Sequence, residues 1–308
     1  MKPSFPNLFI PGAGKSGTSA LHECLDQHPA ISMSSKKEPH YWTRPDFDEY
    51  TDFHRTKYME YFNWEEHIKY QGESSTGYMQ FPKFIGRIKS HYEEFPRFIF
   101  ILRNPVDRCY SHYWWLKGMG SESLSFKEAV LSDLDIEPHP GLKLPEGNYK
   151  CYFQYGLYGK WLERFYRAFN SMNIHIVCSE DLKDDPLGTV NGCFEFLGLE
   201  PLESIIPSEA NKSIILKKPG LYKLAKQLSF NQLNVPQLVK DMTPEFVKKL
   251  IRKHLITIVL KYTRTKKTYP IISDTDRLWL KGLYQEDVRH LKELTGMSFE
   301  KWTDFIDA

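Results

Sequence analysis

The 308-residue chain carries 41 Lys and Arg against 39 Asp and Glu, a formal net charge of +2, so bulk charge gives no support to a nucleic-acid partner and confines any anion site to a local cluster. With 41% hydrophobic and 26% charged residues it has the composition of a folded globular protein, long enough for one large α/β domain. The five cysteines (Cys24, Cys109, Cys151, Cys178 and Cys193) have no metal-binding spacing and read as reduced thiols. Met1 to Pro6 is no signal peptide, and Leu255 to Leu260 is too short to span a bilayer, which together point to a cytoplasmic protein with no transmembrane segment.

In chain order, Asn7 to Ile10 is a short apolar run stopped by Pro11-Gly12, a buried strand. Ser16 to His28 has helical spacing, with apolar residues at Ala20, Leu21, Cys24 and Leu25. Ala30 to Met33 is a second short strand, Asp46 to His67 is helical in part, Tyr70 to Glu73 is a strand end, and Phe81 to Tyr92 is a helix. Arg97 to Arg103 is the clearest buried strand, and a helix follows from about Val106 to Leu116 with Pro105 at its first turn. Gly118 to Lys150 is a long excursion around one short helix, Phe126 to Leu131, fit for a lid or acceptor loop. Tyr158 to Phe169, a strand at Ile174 to Cys178, and a helix from Pro186 to Leu197 closed by Gly198 come next. Strands alternating with helices predict a central parallel sheet flanked by helices in a single domain, 1–308, with 220–308 its mainly helical C-terminal part.

Two constellations carry chemistry. In the first, a strand runs into Pro11-Gly12-Ala13-Gly14 and then Lys15-Ser16-Gly17-Thr18-Ser19 opens a helix. Glycines allow backbone N–H groups to turn toward an anion, the helix adds its positive end, Lys15 adds a charge, and the hydroxyls add donors. The loop is shorter than a nucleotide-triphosphatase P-loop, GxxxxGK[ST], because Phe9 stands at the first glycine position. In the second, the strong strand ends in Arg103 where such enzymes carry a Mg²⁺-holding Asp. A guanidinium repels Mg²⁺ and forks onto phosphate, and Ser111 in the next helix can join it, so Arg103 and Ser111 define a second phosphate position.

The pair resembles the PAPS-dependent sulfotransferases. Lys15-Ser16-Gly17-Thr18 is similar to the loop that holds the donor's 5′-phosphosulfate, and Leu102-Arg103-Asn104-Pro105 with Tyr110-Ser111 to the segment that holds its 3′-phosphate. Gly72 to Tyr78, Tyr155 to Leu162, and Leu291 to Trp302 resemble further segments of that family. The chain departs from carbohydrate-modifying relatives at Ser74, where they often carry Lys, and at Thr76, where they have Pro, so an auxiliary cation is either missing or supplied elsewhere. Lys36-Lys37-Glu38-Pro39-His40-Tyr41-Trp42 resembles the segment with an acidic base and an aromatic wall. Glu38 falls on the base position and needs its pKa raised by burial, while His40 has the more suitable ordinary pKa and stands second.

The resemblance implies a P-loop-like topology and transfer of a sulfuryl group from PAPS to a hydroxyl, or an amine, of a small-molecule or carbohydrate acceptor, releasing PAP. Lys15 would neutralise charge on the leaving oxygen, Gly14, Lys15, Ser16, Gly17, Thr18, Ser19, Arg103, Ser111 and Lys212 would hold the donor, and no metal would be needed. Tyr41, Trp42, Tyr113, Trp114 and Trp115 would suit a flat or sugar-like acceptor, and His112, one residue past Ser111, reads as a packing or surface histidine. Two rivals stay open: a P-loop kinase of a small molecule, and a nucleotide-binding module without catalysis.

Overall fold

A computed structural model describes residues 5–44, 46–49, 52–136, 150–206 and 268–306, with 215–217, 220–222, 259, 262 and 265. Five strands, β1 (Leu8–Ile10), β2 (Ile31–Met33), β3 (Tyr70–Ser74), β4 (Arg97–Leu102) and β5 (Ile174–Cys178), form one sheet in the order β2-β3-β1-β4-β5, with every pairing parallel. The reason is visible in β1 and β4, whose residues from Leu8 to Ile10 and from Phe98 to Leu102 are all at 0% exposure. Both faces are covered, so the strands read as continuous apolar runs, and alternate residues go to opposite layers.

Phe9, Phe98, Phe100 and Leu102 face one core, shared with α3 (Pro82–His91), α4 (Pro105–Gly118), α6 (Tyr158–Ala168) and a long C-terminal helix, α9 (Asp274–Thr295). Leu8, Ile10, Ile99 and Ile101 face the other, shared with α1 (Thr18–Leu25), α7 (Ser179–Asp184) and α8 (Pro186–Phe196). Two further helices, α2 (Asp52–Met59) and α5 (Phe126–Leu131), lie in the β2–β3 and α4–α6 connections. The expected central parallel sheet flanked by helices is therefore what the chain forms, with α5 at the predicted residues.

Helix ends follow local chemistry. Pro105 occupies the first turn of α4, and the Asn104 side chain accepts from Val106 N at 3.0 Å. Asp287 of α9 caps α6, accepting from Gly159 N and Lys160 N at 2.9 Å each. Gly159 is required there, because a Cβ would stand 2.6 Å from the Asp287 carbonyl oxygen. Among the described residues, no helix is long and apolar enough to cross a membrane. All five cysteines are buried, and none forms a disulfide.

Two expectations need correction. Helix α1 begins at Thr18 rather than Ser16, because Lys15 and Gly17 take positive φ of 72° and 99°, which an α-helix cannot include. The proposed aromatic acceptor set is mostly core: Trp42 (0% exposed), Tyr41 and Tyr113 are buried, Tyr41 stacks on Tyr58 at 4.1 Å, and only Trp114 and Trp115 are half-exposed. Aromatic residues beside a charged segment were filling the layer behind it. Of the packing and surface readings of His112, its burial selects packing.

Candidate functional site

In an open parallel sheet the ligand-binding edge is the one at the carboxyl ends of the strands, at the point where strand order reverses. Here that point is β1, flanked by β3 and β4. The Pro11 to Gly17 turn leaves β1 and zips onto β4, with Ala13 N donating to Ile101 O at 2.8 Å and Ile101 N to Gly12 O at 2.9 Å. Gly17, at φ 99°, redirects the chain into α1, whose N-terminus no side chain caps, so its first N–H groups remain available to an anion. Ser16 Oγ is buried without a hydrogen-bond partner, although it lies near enough to the Tyr158 hydroxyl to influence its pKa. A buried hydroxyl with hydrogen-bonding capacity to spare beside uncapped helix N–H groups fits an anionic oxygen.

Lys15 lies half-buried in the cleft with its Nζ 4.5 Å from the centre of the Trp115 ring. Burial pushes its pKa down to about 8, helped by Arg103, Arg108 and Lys37 and opposed by Glu38. Arg103 follows β4, and its carbonyl accepts from the Tyr158 hydroxyl at 3.0 Å, which ties the strand end to α6. Among the described residues no ion pair joins a carboxylate to Lys15 or Arg103. Ser111 and Ser19 are half-exposed on α4 and α1 respectively. Gly14 lies against Thr76, 3.6 Å from its Oγ1 to a built Cβ position. Lys212 lies outside the described residues.

Glu38 and His40 arrive from the loop after β2. Glu38 N donates to Ser74 O at 2.9 Å, and His40 N to Ser75 Oγ at 3.1 Å, so both are pinned to the end of β3. The Glu38 carboxylate accepts from Lys37 Nζ at 3.4 Å and Thr76 Oγ1 at 3.3 Å, and its Oε2 lies 3.3 Å from His40 Nε2. Its side chain is 38% exposed, at the cleft surface, whereas that of His40 is only 8% exposed behind it. The expectation of a raised Glu38 pKa is overturned: burial does push it up, but the bonds from His40 and Lys37 prevail and hold it at about 2. Glu38 is thus an anion throughout the neutral range.

Backbone strain picks out these same residues. Among the described residues four non-glycine positions have positive φ, and three of them are Lys15 (72°), Glu38 (54°) and His40 (51°). Each costs on the order of 1 kcal/mol or more and persists only where the surroundings impose it, which is characteristic of functional sites.

Four contributors were not identified from residue types. Lys37 reaches both the cradle and Glu38. Arg108 is fully buried, donates to the Tyr152 carbonyl, and adds positive field at Lys15. Glu73, at 0% exposure, accepts from Tyr58 and, at 2.5 Å, from Ser75 Oγ, and burial raises its pKa to about 7. Asp304 accepts from Asn104 Nδ2 at 2.7 Å and from Arg277, which also binds Asp107. Lys37, Glu73 and Arg108 each lay in a segment already singled out in the sequence, and only Asp304 lay outside every such segment.

A parallel α/β sheet with a glycine-rich turn after its reversing strand, and an arginine after the neighbouring one, gives the chain a P-loop-like topology. More closely, the chain belongs to the sulfotransferase domain family, whose model matches residues 5–254. It is 26% identical over 268 residues to carbohydrate sulfotransferase 15 of Homo sapiens, covering 70% of this chain and 46% of that one. It is 25% identical over 203 residues to bifunctional heparan sulfate N-deacetylase/N-sulfotransferase 2 of Homo sapiens, covering 64% of this chain and 22% of that one. The chain therefore spans less than half the length of these relatives. Among solved structures, a sulfotransferase from Alicyclobacillus acidocaldarius superposes with a TM-score of 0.65 at 23% identity, over 97% of this chain and 99% of that one, and shares the fold.

Proposed function

We propose that this protein transfers a sulfuryl group from PAPS to a hydroxyl of a carbohydrate or small-molecule acceptor and releases PAP. The observation that carries the reading is the convergence of strained Lys15, Glu38 and His40 on one sheet edge, with Arg103 beyond Lys15 on the neighbouring strand. Membership of the sulfotransferase family and the names of the carbohydrate-modifying relatives support it.

In this reading the cradle N–H groups with Lys15, Ser16, Thr18 and Ser19 hold the 5′-phosphosulfate, and Arg103 with Ser111 holds the 3′-phosphate. PAPS supplies a sulfur centre with a phosphate leaving group. Lys15, cationic below about pH 8, stabilises negative charge on the leaving oxygen. Glu38 faces the cleft as an ionised base, with His40 and Lys37 fixing its orientation. A donor that brings negative charge beside Lys15 and Lys37 offsets part of their field and raises the basicity of Glu38. The half-exposed Trp115, beside Lys15, suits the face of a sugar ring. Arg103 in place of a carboxylate goes with a reaction that uses no Mg²⁺.

Thermal unfolding with PAP, ATP or ADP, each with and without Mg²⁺, tests the reading. PAP at about 100 times its Kd is expected to add about 2.7 kcal/mol of stability, with or without the metal. Stabilisation by Mg²⁺-ATP with none from PAP overturns it in favour of a kinase.

A further inference from the structure

The run Lys36-Lys37 resembles a solvated pair of charges, but the two side chains part. Lys36 turns outward, with Nζ 3.5 Å from the Tyr61 hydroxyl and 5.3 Å from that ring's centre. Lys37 turns inward. Its Nζ donates to Thr18 Oγ1 at 3.3 Å and to Glu38 Oε1 at 3.4 Å, and its side chain is 28% exposed. Thr18 is the first residue of α1, buried at the end of the cradle. One ammonium therefore spans the gap between the donor cradle and the carboxylate that faces the cleft.

The β3 edge offers no cation for this gap. Ser74 is fully buried and its Oγ lies 2.8 Å from His22 Nδ1. Burial lowers the His22 pKa to about 4, aided by Lys37, so that pair is neutral at pH 7. The cations bordering the gap thus come from the cradle and from the loop after β2. By donating to Thr18 Oγ1, Lys37 also leaves the Thr18 hydroxyl hydrogen free to point toward an anion, so it orients a cradle donor as well as adding charge.

We propose that Lys37 is a second catalytic cation, which binds the oxygens of the sulfuryl group from the Glu38 side while Lys15 holds the leaving phosphate oxygen. The proposal rests on the donor reading given above. In the transfer, the bond from sulfur to the bridging phosphate oxygen breaks and its electron pair stays on PAP. A bond from the acceptor oxygen to sulfur forms, and the acceptor proton passes to Glu38. Lys37 exchanges no proton; it offsets the charge of three sulfuryl oxygens passing between two negatively charged partners.

PAP lacks the sulfuryl group, so titration calorimetry with PAP and with PAPS, in the absence of acceptor, isolates the contact. For Lys37→Ala we expect PAPS to bind about 10-fold more weakly while PAP changes by less than about 3-fold, the loss of one charge-assisted contact. Lys37→Arg is expected to restore PAPS binding, and Lys36→Ala to bind both as the wild type does. Should Lys37→Ala unfold, Lys37→Gln, which keeps the stem, carries the same comparison. Equal weakening of PAP and PAPS means a structural role and overturns the proposal, as does no weakening of either. If the wild-type protein binds neither nucleotide, the donor reading itself falls; if it binds both and Lys37→Ala matches it, only the role of Lys37 falls.

Discussion

At the scale of single residues, the site is a set of cations crowded against one ionised carboxylate. Lys15 shows the cost, with a pKa of about 8 imposed by burial and by the neighbouring positive charges. Its ammonium is present below that pH and lost above it. PAP affinity is therefore expected to fall as pH rises through about 8, and the Lys15→Arg protein, whose guanidinium does not titrate there, to show a flat profile to about pH 10. Binding an anion raises the pKa of Lys15, so near pH 8.5 calorimetry in buffers of different ionisation enthalpy should register proton uptake of roughly a fraction of one per site. A flat wild-type profile would place Lys15 away from the nucleotide. Much of this was legible in residue types: a lysine after glycines, an arginine ending a strand, an acid and a histidine two apart. The sign of the Glu38 shift was not. It is set by Lys37 and His40, whose side chains meet Glu38 because two successive positive-φ turns fold the loop back on itself. No spacing rule anticipates such a return.

At the scale of elements, β3 carries the feature least expected of a strand end, a fully buried carboxyl. Glu73 is surrounded by the hydroxyls of Tyr58, Tyr78 and Ser75, and burial raises its pKa to about 7 against an ordinary 4.5. The folded state therefore holds this proton more tightly than the unfolded chain. Its contribution to stability is fully present below about pH 4.5 and is lost as pH rises through about 7. Glu73→Gln keeps an uncharged hydrogen-bonding group in place at every pH. Its melting temperature is expected to match the wild type near pH 5 and to exceed it at pH 8, by roughly 2–4 °C for each kcal/mol relieved. Equal melting temperatures at both pH values would mean that Glu73 ionises freely. The elements themselves were readable, because buried strands and capped helices leave local marks such as Pro105, Asn104 and Gly198. The start of α1 was misplaced by two residues, since nothing in Lys15 as a residue type announces a left-handed backbone.

At the scale of the whole molecule, the turn that carries Arg103, the proposed second phosphate position, is braced by residues remote in sequence. Asn104, next to Arg103, is held through its N–H by Glu180 of α7 at 3.0 Å and through its side chain by Asp304 at 2.7 Å. Trp302 donates to the other Glu180 oxygen at 3.2 Å, and Arg277 of α9 joins Asp304 to Asp107 on α4. Asp304→Ala is expected to lower stability by roughly 1–3 kcal/mol and to weaken PAP about 10-fold, because it frees the turn that aims Arg103. Unchanged PAP affinity in the folded variant would mean that the turn is held by Glu180 alone. These links escape sequence reading because they join positions 200 apart, where only the folded arrangement makes neighbours.

The brace from Asp304 to Asn104 also bears on synthesis at the ribosome. The cradle, the Glu38 loop, Arg103 and Ser111 are all translated before residue 112, and a nascent chain can begin to collapse as it emerges. The turn that carries Arg103 nonetheless lacks its Asp304 contact until residue 304 has emerged. A growing chain would hold the makings of the proposed nucleotide site some 200 residues before this brace beside Arg103 could form.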